Sequence, residues 1–274
     1  MRLGFRPPKD PEGFLAYARA LAGRYAFIEV PGSAAPHLEG VAREARGMGY
    51  RLTYHARYLD LYPGSPVPEI REASLRLLRE DLERAARMGA FLVNVHAGNL
   101  PWTDYPPPGL SPAHEALREA EGRLRREYLE RALEALAGLA SLALDLGLKL
   151  TLENLPAPQE VPRTPEEMAL FLAVPGLEFC LDLGHAQMAG QDPKGFLEAL
   201  GSRLVHVHAH RNDGRFDLHL PPRPEDLKPF LDTPCTLLVE LPPRDVGEYL
   251  EVHRLLVSAD GKSPAGAADC CDRG

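Results

Sequence analysis

Eight short runs rich in Leu, Val, Ile, Phe and Tyr recur along the chain: Leu3 to Arg6, Tyr25 to Val30, Arg51 to His55, Phe91 to His96, Leu148 to Glu153, Leu177 to Asp182, Leu204 to His208 and Thr236 to Glu240. Between them lie longer stretches in which apolar residues return at helical spacing. Ser74 to Met88 carries Leu75, Leu78, Leu82 and Ala85 on one face, and Gly89 stands where a helix stops. Ser111 to Leu146 opens on a cap residue followed by Pro112 and stops at Gly147. The pattern predicts further helices over Pro11 to Gly23, Ala35 to Met48, Pro165 to Ala173, Pro193 to Leu200, Pro224 to Leu231 and Val246 to Val257. Strand-type runs alternating with helical stretches mark βα units around a parallel sheet. Eight of them fit a closed (β/α)8 TIM barrel better than an open doubly wound sheet, which usually has about five or six strands.

Length agrees, since 274 residues suffice for one barrel of about 250. The barrel is assigned to residues 1–257, and 258–274, with the sequence SADGKSPAGAADCCDRG, reads as a disordered tail. No apolar run approaches the roughly 18 residues of a membrane span, and the opening MRLGFRPPKD lacks the apolar stretch of a signal peptide. Cys180, Cys235, Cys270 and Cys271 form neither a disulfide framework nor a CxxC zinc site, which points to a cytoplasmic protein. A net charge of -8 argues against a general nucleic-acid binder.

The chemistry lies at the ends of the runs. The third ends in His55, the fourth in His96, the fifth in Glu153, and the sixth in Asp182 with His185 just beyond. The seventh carries His206, His208 and His210, followed by Asp217 and His219, and the eighth ends in Glu240. In such a barrel the C-terminal strand ends share one mouth. Of the ten histidines, only His37, His114 and His253 fall elsewhere. So many imidazoles and carboxylates at one mouth need cations to balance them, and this donor mixture favours zinc, manganese or iron over magnesium or calcium. In LVHVHAH the three histidines share a face. His208 is the expected ligand, His206 packs lower, and His210 either supports a ligand or faces substrate. Trp102 and Tyr105 in LPWTDYPPPG offer a wall of the substrate pocket or a stiff lid. Arg57, Arg211 and Arg215 either reach a phosphate at the mouth or remain solvated.

The segments HARYLDL at 55–61, VNVHAGN at 93–99, LTLENL at 150–155, CLDLGHAQMAG at 180–190, DLHL at 217–220 and VELP at 239–242 together resemble the xylose isomerase-like barrels. Within that group the resemblance is to the endonuclease IV family of abasic-site nucleases. It implies a multinuclear zinc phosphoester hydrolase with up to three ions. One would take His55, His96 and Glu153; Glu153 would bridge to a second held by Asp182, His208 and Glu240; a third would take His185, Asp217 and His219. Tyr58 and Leu59 match positions that push into damaged DNA. The chain departs from the nuclease pattern in PGSAAP after the second run, in Asn154, Leu155 and Pro156, and in PPRPED after His219. These departures favour a small phosphorylated substrate over damaged DNA.

Sugar isomerases and epimerases of the same superfamily supply the alternative. They need one ion, manganese or cobalt, on the counterparts of Glu153, Asp182, His208 and Glu240. Glu153 and Glu240 then serve as acid and base on a sugar-type substrate. The third possibility is a non-catalytic binding barrel.

Overall fold

The computed structural model describes residues 2–100, 112–230 and 233–260. Eight parallel strands close in sequence order: β1 (Arg2–Phe5), β2 (Phe27–Pro31), β3 (Arg51–His55), β4 (Ala90–Val95), β5 (Lys149–Glu153), β6 (Leu177–Asp182), β7 (Leu204–Ala209) and β8 (Thr236–Val239), with β8 pairing back onto β1. The chain is a single (β/α)8 TIM barrel. Its helices are α1 (Pro11–Ala20), α2 (Ala35–Gly47), α3 (Pro68–Met88), α4 (Pro112–Asp145), α5 (Pro165–Phe171), α6 (Leu183–Met188), α7 (Pro193–Leu200), α8 (Pro224–Leu227) and α9 (Val246–Asp260).

Local chemistry sets the helix starts. Proline occupies the first turn of α1, α5 and α7, where its missing N–H costs nothing, and Asp10, Thr164 and Asp192 cap them. Two elements differ most from the sequence reading. α3 begins at Pro68, because Ser74 lies inside it, donating its hydroxyl to Ile70 O at 2.8 Å and accepting from Tyr62 N at 2.9 Å. α6 falls in LGHAQM, where Asp182, the last residue of β6, also caps the helix by accepting from His185 N at 2.6 Å. α9 runs to Asp260, past the predicted end of the barrel, and the rest of the expected tail lies outside the described residues. No helix among the described residues is long and apolar enough to cross a membrane.

Strand alternation divides the core in two. Leu52 and Tyr54, Leu150 and Leu152, Phe179 and Leu181, Val207 and Ala209 face the helices and build the main apolar cluster. The opposite positions Thr53 and His55, Thr151 and Glu153, Cys180 and Asp182, His206 and His208 fill the barrel, nearly all of them buried polar groups. Phe27 lies beneath them, its ring 5.8 Å from that of His206. Gly4 makes room for it, since a Cβ there would meet the Phe27 ring at 2.1 Å.

Candidate metal centre

Parallel strands ending at one level deliver their last inward residues to a common bowl, and Glu153 of β5 sits at its centre. The Glu153 Oε2 atom lies 3.3 Å from His96 Nε2, 3.5 Å from His55 Nε2 and 3.5 Å from His208 Nδ1, while Oε1 lies 3.1 Å from His185 Nδ1. His208 Nδ1 is also 3.0 Å from Glu240 Oε2 and 3.7 Å from Asp182 Oδ2. Beyond His185, Asp217 Oδ2 lies 3.5 Å from His185 Nε2 and 3.0 Å from His219 Nε2. His219 adopts a left-handed backbone, φ 51°, and stacks its ring on that of His210 at 4.1 Å.

The donor chemistry fits a divalent cation. Two ligands about 2.0–2.1 Å from one tetrahedral ion stand about 3.3 Å apart, the spacing seen around Glu153. Donor atoms of His55, Glu153 and His208 lie within 4.8 Å of one another, as do those of Asp182, His208 and Glu240, and those of His210, Asp217 and His219. His96 Nε2, His208 Nδ1 and Glu240 Oε2 are buried without a hydrogen-bond partner, a costly arrangement unless something binds them. The tautomers agree. His55 Nδ1 donates to Ala56 O at 2.9 Å and His185 Nδ1 to Asn154 O at 3.0 Å, which leaves each Nε2 lone pair for an ion.

The electrostatics are polarised. Burial pushes the Glu153 carboxyl up, but the neighbouring rings of His208 and His96 outweigh it and hold the group well below the usual carboxylate range. Burial likewise opposes ionisation of Glu240, and Arg6 and His208 overcome it. Burial disfavours the His208 cation, yet Cys180, Glu153 and Glu29 lift its pKa well above the ordinary value. His96 is pushed down by burial against the pull of Glu153.

All the His, Asp and Glu positions read from the sequence thus meet at one mouth. Tyr58 and Leu59 stand on its rim, exposed, with the Tyr58 ring 4.7 Å from that of His96. Trp102 and Tyr105 lie outside the described residues. His210 and Arg211, offered as substrate contacts, are both held by neighbouring protein groups. His210 is fully buried beneath His219, with Nε2 3.0 Å from Asp182 Oδ2, so it braces a carboxylate. Arg211 donates Nε to Pro221 O at 2.8 Å and ties down the loop after β7. Arg57 is likewise committed to Asp81, at 3.0 Å. His206 packs below His208, its Nδ1 donating to Thr236 Oγ1 at 2.7 Å.

Sequence reading missed Arg6, Glu29, Asn94 and Asn154. Glu29 is wholly buried in β2 and accepts from Arg6 Nε at 3.1 Å, and Arg6 reaches on to Glu240. Asn94 donates to Glu153 and accepts from Thr151 Oγ1 at 3.0 Å. Asn154 holds the backbone of Asp182 from both sides, at 2.8 and 3.0 Å. A lone charge inside the apolar run FIEV was the available signal for Glu29.

With the barrel and its ring of donors established, comparison with known proteins places the chain. The family described as "Xylose isomerase-like TIM barrel" matches residues 15–232, and the chain belongs to that family. It is 32% identical over 225 residues to Endonuclease 4 of Thermus thermophilus, covering 70% of this chain and 72% of that one. The chain spans about half the length of another curated relative, 54% of a Methanocaldococcus jannaschii protein, MJ1311, to which it is 30% identical over 178 residues. Among solved structures, a D-tagatose 3-epimerase-like protein superposes with a TM-score of 0.76 at 20% identity, covering 95% of this chain and 97% of that one. The TTHB071 protein, also from Thermus thermophilus and soaked with ZnCl2, gives a TM-score of 0.64 at 26% identity over 96% of this chain and 99% of that one.

Proposed function

We propose that this chain is a divalent-metal-dependent phosphoester hydrolase that uses more than one cation, with zinc the best match to its donors. The observation that carries the reading is the position of Glu153, whose Oε2 lies 3.3 to 3.5 Å from nitrogens of His55, His96 and His208 while Oε1 lies 3.1 Å from the ring of His185. A carboxylate so placed suits a bridge between neighbouring ions. His185, Asp217 and His219 extend the donors beyond those that an isomerase with one ion needs to hold. Likeness to Endonuclease 4 supports the same direction.

His55, His96, Glu153, Asp182, His185, His208, Asp217, His219 and Glu240 would hold the cations. Bound there, the ions would polarise the phosphoryl group and neutralise charge on the leaving oxygen. Asn94 and Asn154 fix the angles of Glu153 and Asp182, and His210 steadies Asp182 from below. Tyr58 and Leu59 shape the approach to the mouth. The loop after β2, GSAA, offers no arginine to a duplex, so the preferred substrate is a small phosphorylated molecule in the cytoplasm rather than damaged DNA.

One arrangement favours the epimerase reading. Glu153 and Glu240 flank His208 Nδ1 at 3.5 and 3.0 Å, and two carboxylates around one ligand suit proton transfer beside a carbonyl. Assays against a simple aryl phosphodiester, an abasic-site duplex and a ketose panel separate the readings. We expect phosphodiester cleavage with zinc, and its loss in His55→Ala together with part of the bound metal. Ketose epimerisation with manganese or cobalt, left intact by His55→Ala, would refute the hydrolase.

A further inference from the structure

Beside the donor groups lies a buried polar chain whose members are not themselves counted among the donors. Glu29, in the middle of β2, is completely shielded from solvent. Its Oε1 accepts from Arg6 Nε at 3.1 Å; its Oε2 makes no hydrogen bond and lies 3.3 Å from His208 Nε2 and 3.6 Å from His206 Nε2, two buried nitrogens that also lack a partner. Arg6, just past the mouth end of β1, spans from Glu29 to Glu240, binding Glu240 Oε1 through Nη1. The other oxygen of Glu240 then faces His208 Nδ1 at 3.0 Å. His206, whose Nδ1 is taken by Thr236, closes the other side of Glu29.

A carboxylate in an apolar strand and wholly out of water needs a strong reason to be there. His208 has two ring nitrogens, and the cation site can use only the one that faces Glu153, Asp182 and Glu240, namely Nδ1. A proton kept on Nε2 fixes that choice, and Glu29 Oε2 stands 3.3 Å from Nε2. We propose that Glu29 and Arg6 are positioning residues of the metal site. Glu29 holds the proton on His208 Nε2, so that the Nδ1 lone pair points at the ion. Arg6 ties up Oε1 of Glu240, so that Oε2 is the oxygen presented. Arg6 also neutralises Glu29, so the pair adds direction to the site without adding a net charge.

This inference requires only that His208 and Glu240 bind an ion, so it holds under either reading of the reaction. Zinc affinity by competition with a chromophoric chelator tests it, alongside the thermal midpoint of the metal-free protein. Glu29→Leu removes the acceptor and should weaken the tightest zinc site about ten- to a hundred-fold, the usual effect of losing a partner behind a metal-bound imidazole. Glu29→Gln keeps an acceptor oxygen and should fall between Glu29→Leu and wild type. Arg6→Met should weaken zinc binding through Glu240, and Arg6→Lys should restore part of it. Wild-type zinc affinity in the Glu29→Leu protein overturns the proposal. Should that variant fail to fold, wild-type affinity in Glu29→Gln overturns it. Wild-type protein that binds a single ion, weakened by Glu29→Leu, removes the multi-ion hydrolase and leaves the inference standing. Wild-type protein that binds no zinc removes both.

Discussion

Gly184 lies directly under His210, and a Cβ there would come within 2.1 Å of His210 Cε1 and 2.4 Å of its Nδ1. His210 has no room to retreat, because its other face stacks on His219 and its Nε2 holds Asp182. Gly184→Ala should therefore destabilise the protein by about 1–3 kcal/mol, the usual cost of overpacking, and loosen metal binding at Asp182. Gly195 in α7 is the control, because a Cβ added there would have nothing within 4 Å. Gly195→Ala should stabilise by about 0.4–1 kcal/mol. Urea titration of both variants decides the matter, and equal effects at the two sites would refute the packing argument. At this scale the ligand candidates were legible because His, Asp and Glu at strand ends stand out against apolar runs. Glu29 was not, because it lies two positions inside its strand rather than at the end. Arg6 did close its run, but a cation does not count as a ligand, and only the fold shows that it links Glu29 to Glu240. For His210 and Arg211 the sequence left the role open, and the fold adds that His210 lies beneath His219 while Arg211 is bound to Pro221 O.

Elements carry these residues into place through a few buried anchors. Asp81 of α3 is fully buried and accepts from Tyr54 Oη at 3.1 Å, Arg57 N at 2.8 Å and Arg57 Nε at 3.0 Å. It thereby clamps the end of β3, which bears His55, and the loop that carries Tyr58. Asp81→Ala should cost about 1–3 kcal/mol, the range for stranding buried hydrogen-bonding groups. Its second expected effect is a raised KM with a smaller change in kcat, because the Tyr58 rim loosens while the cation site persists. A variant with unaltered stability and KM would show that the clamp is incidental. The strands were legible almost to the residue, since runs buried on both faces break sharply against Gly, Pro and charged turns. The start of α3 was not, because Ser74 looks like a cap in sequence and only its bond to Ile70 O places it inside the helix. α6 escaped notice because Asp182 ends a strand and caps a helix at once.

For the molecule as a whole, closure of the barrel is what makes the chemistry. Residues as far apart as Arg6 and Glu240 touch only because β8 returns to β1. The barrel interior, which in this architecture is usually packed with bulky branched side chains, is here largely polar below the mouth, from Thr53 and Thr151 to His206. Such an interior is stable when its carboxylates and imidazoles are balanced, and the orphaned atoms around His208 mark where that balance is incomplete without an ion. The family was readable from sequence, whereas the reaction was not, because the resemblance offers Glu153, Asp182, His208 and Glu240 to a hydrolase and an epimerase alike. The most direct test is a crystal structure of zinc-loaded protein with anomalous data at the zinc edge. At least two peaks are expected in the bowl, one between His96 and His55 at Glu153 and one between Asp182, His208 and Glu240. A single peak, or none within reach of Glu153, would contradict a multi-ion centre.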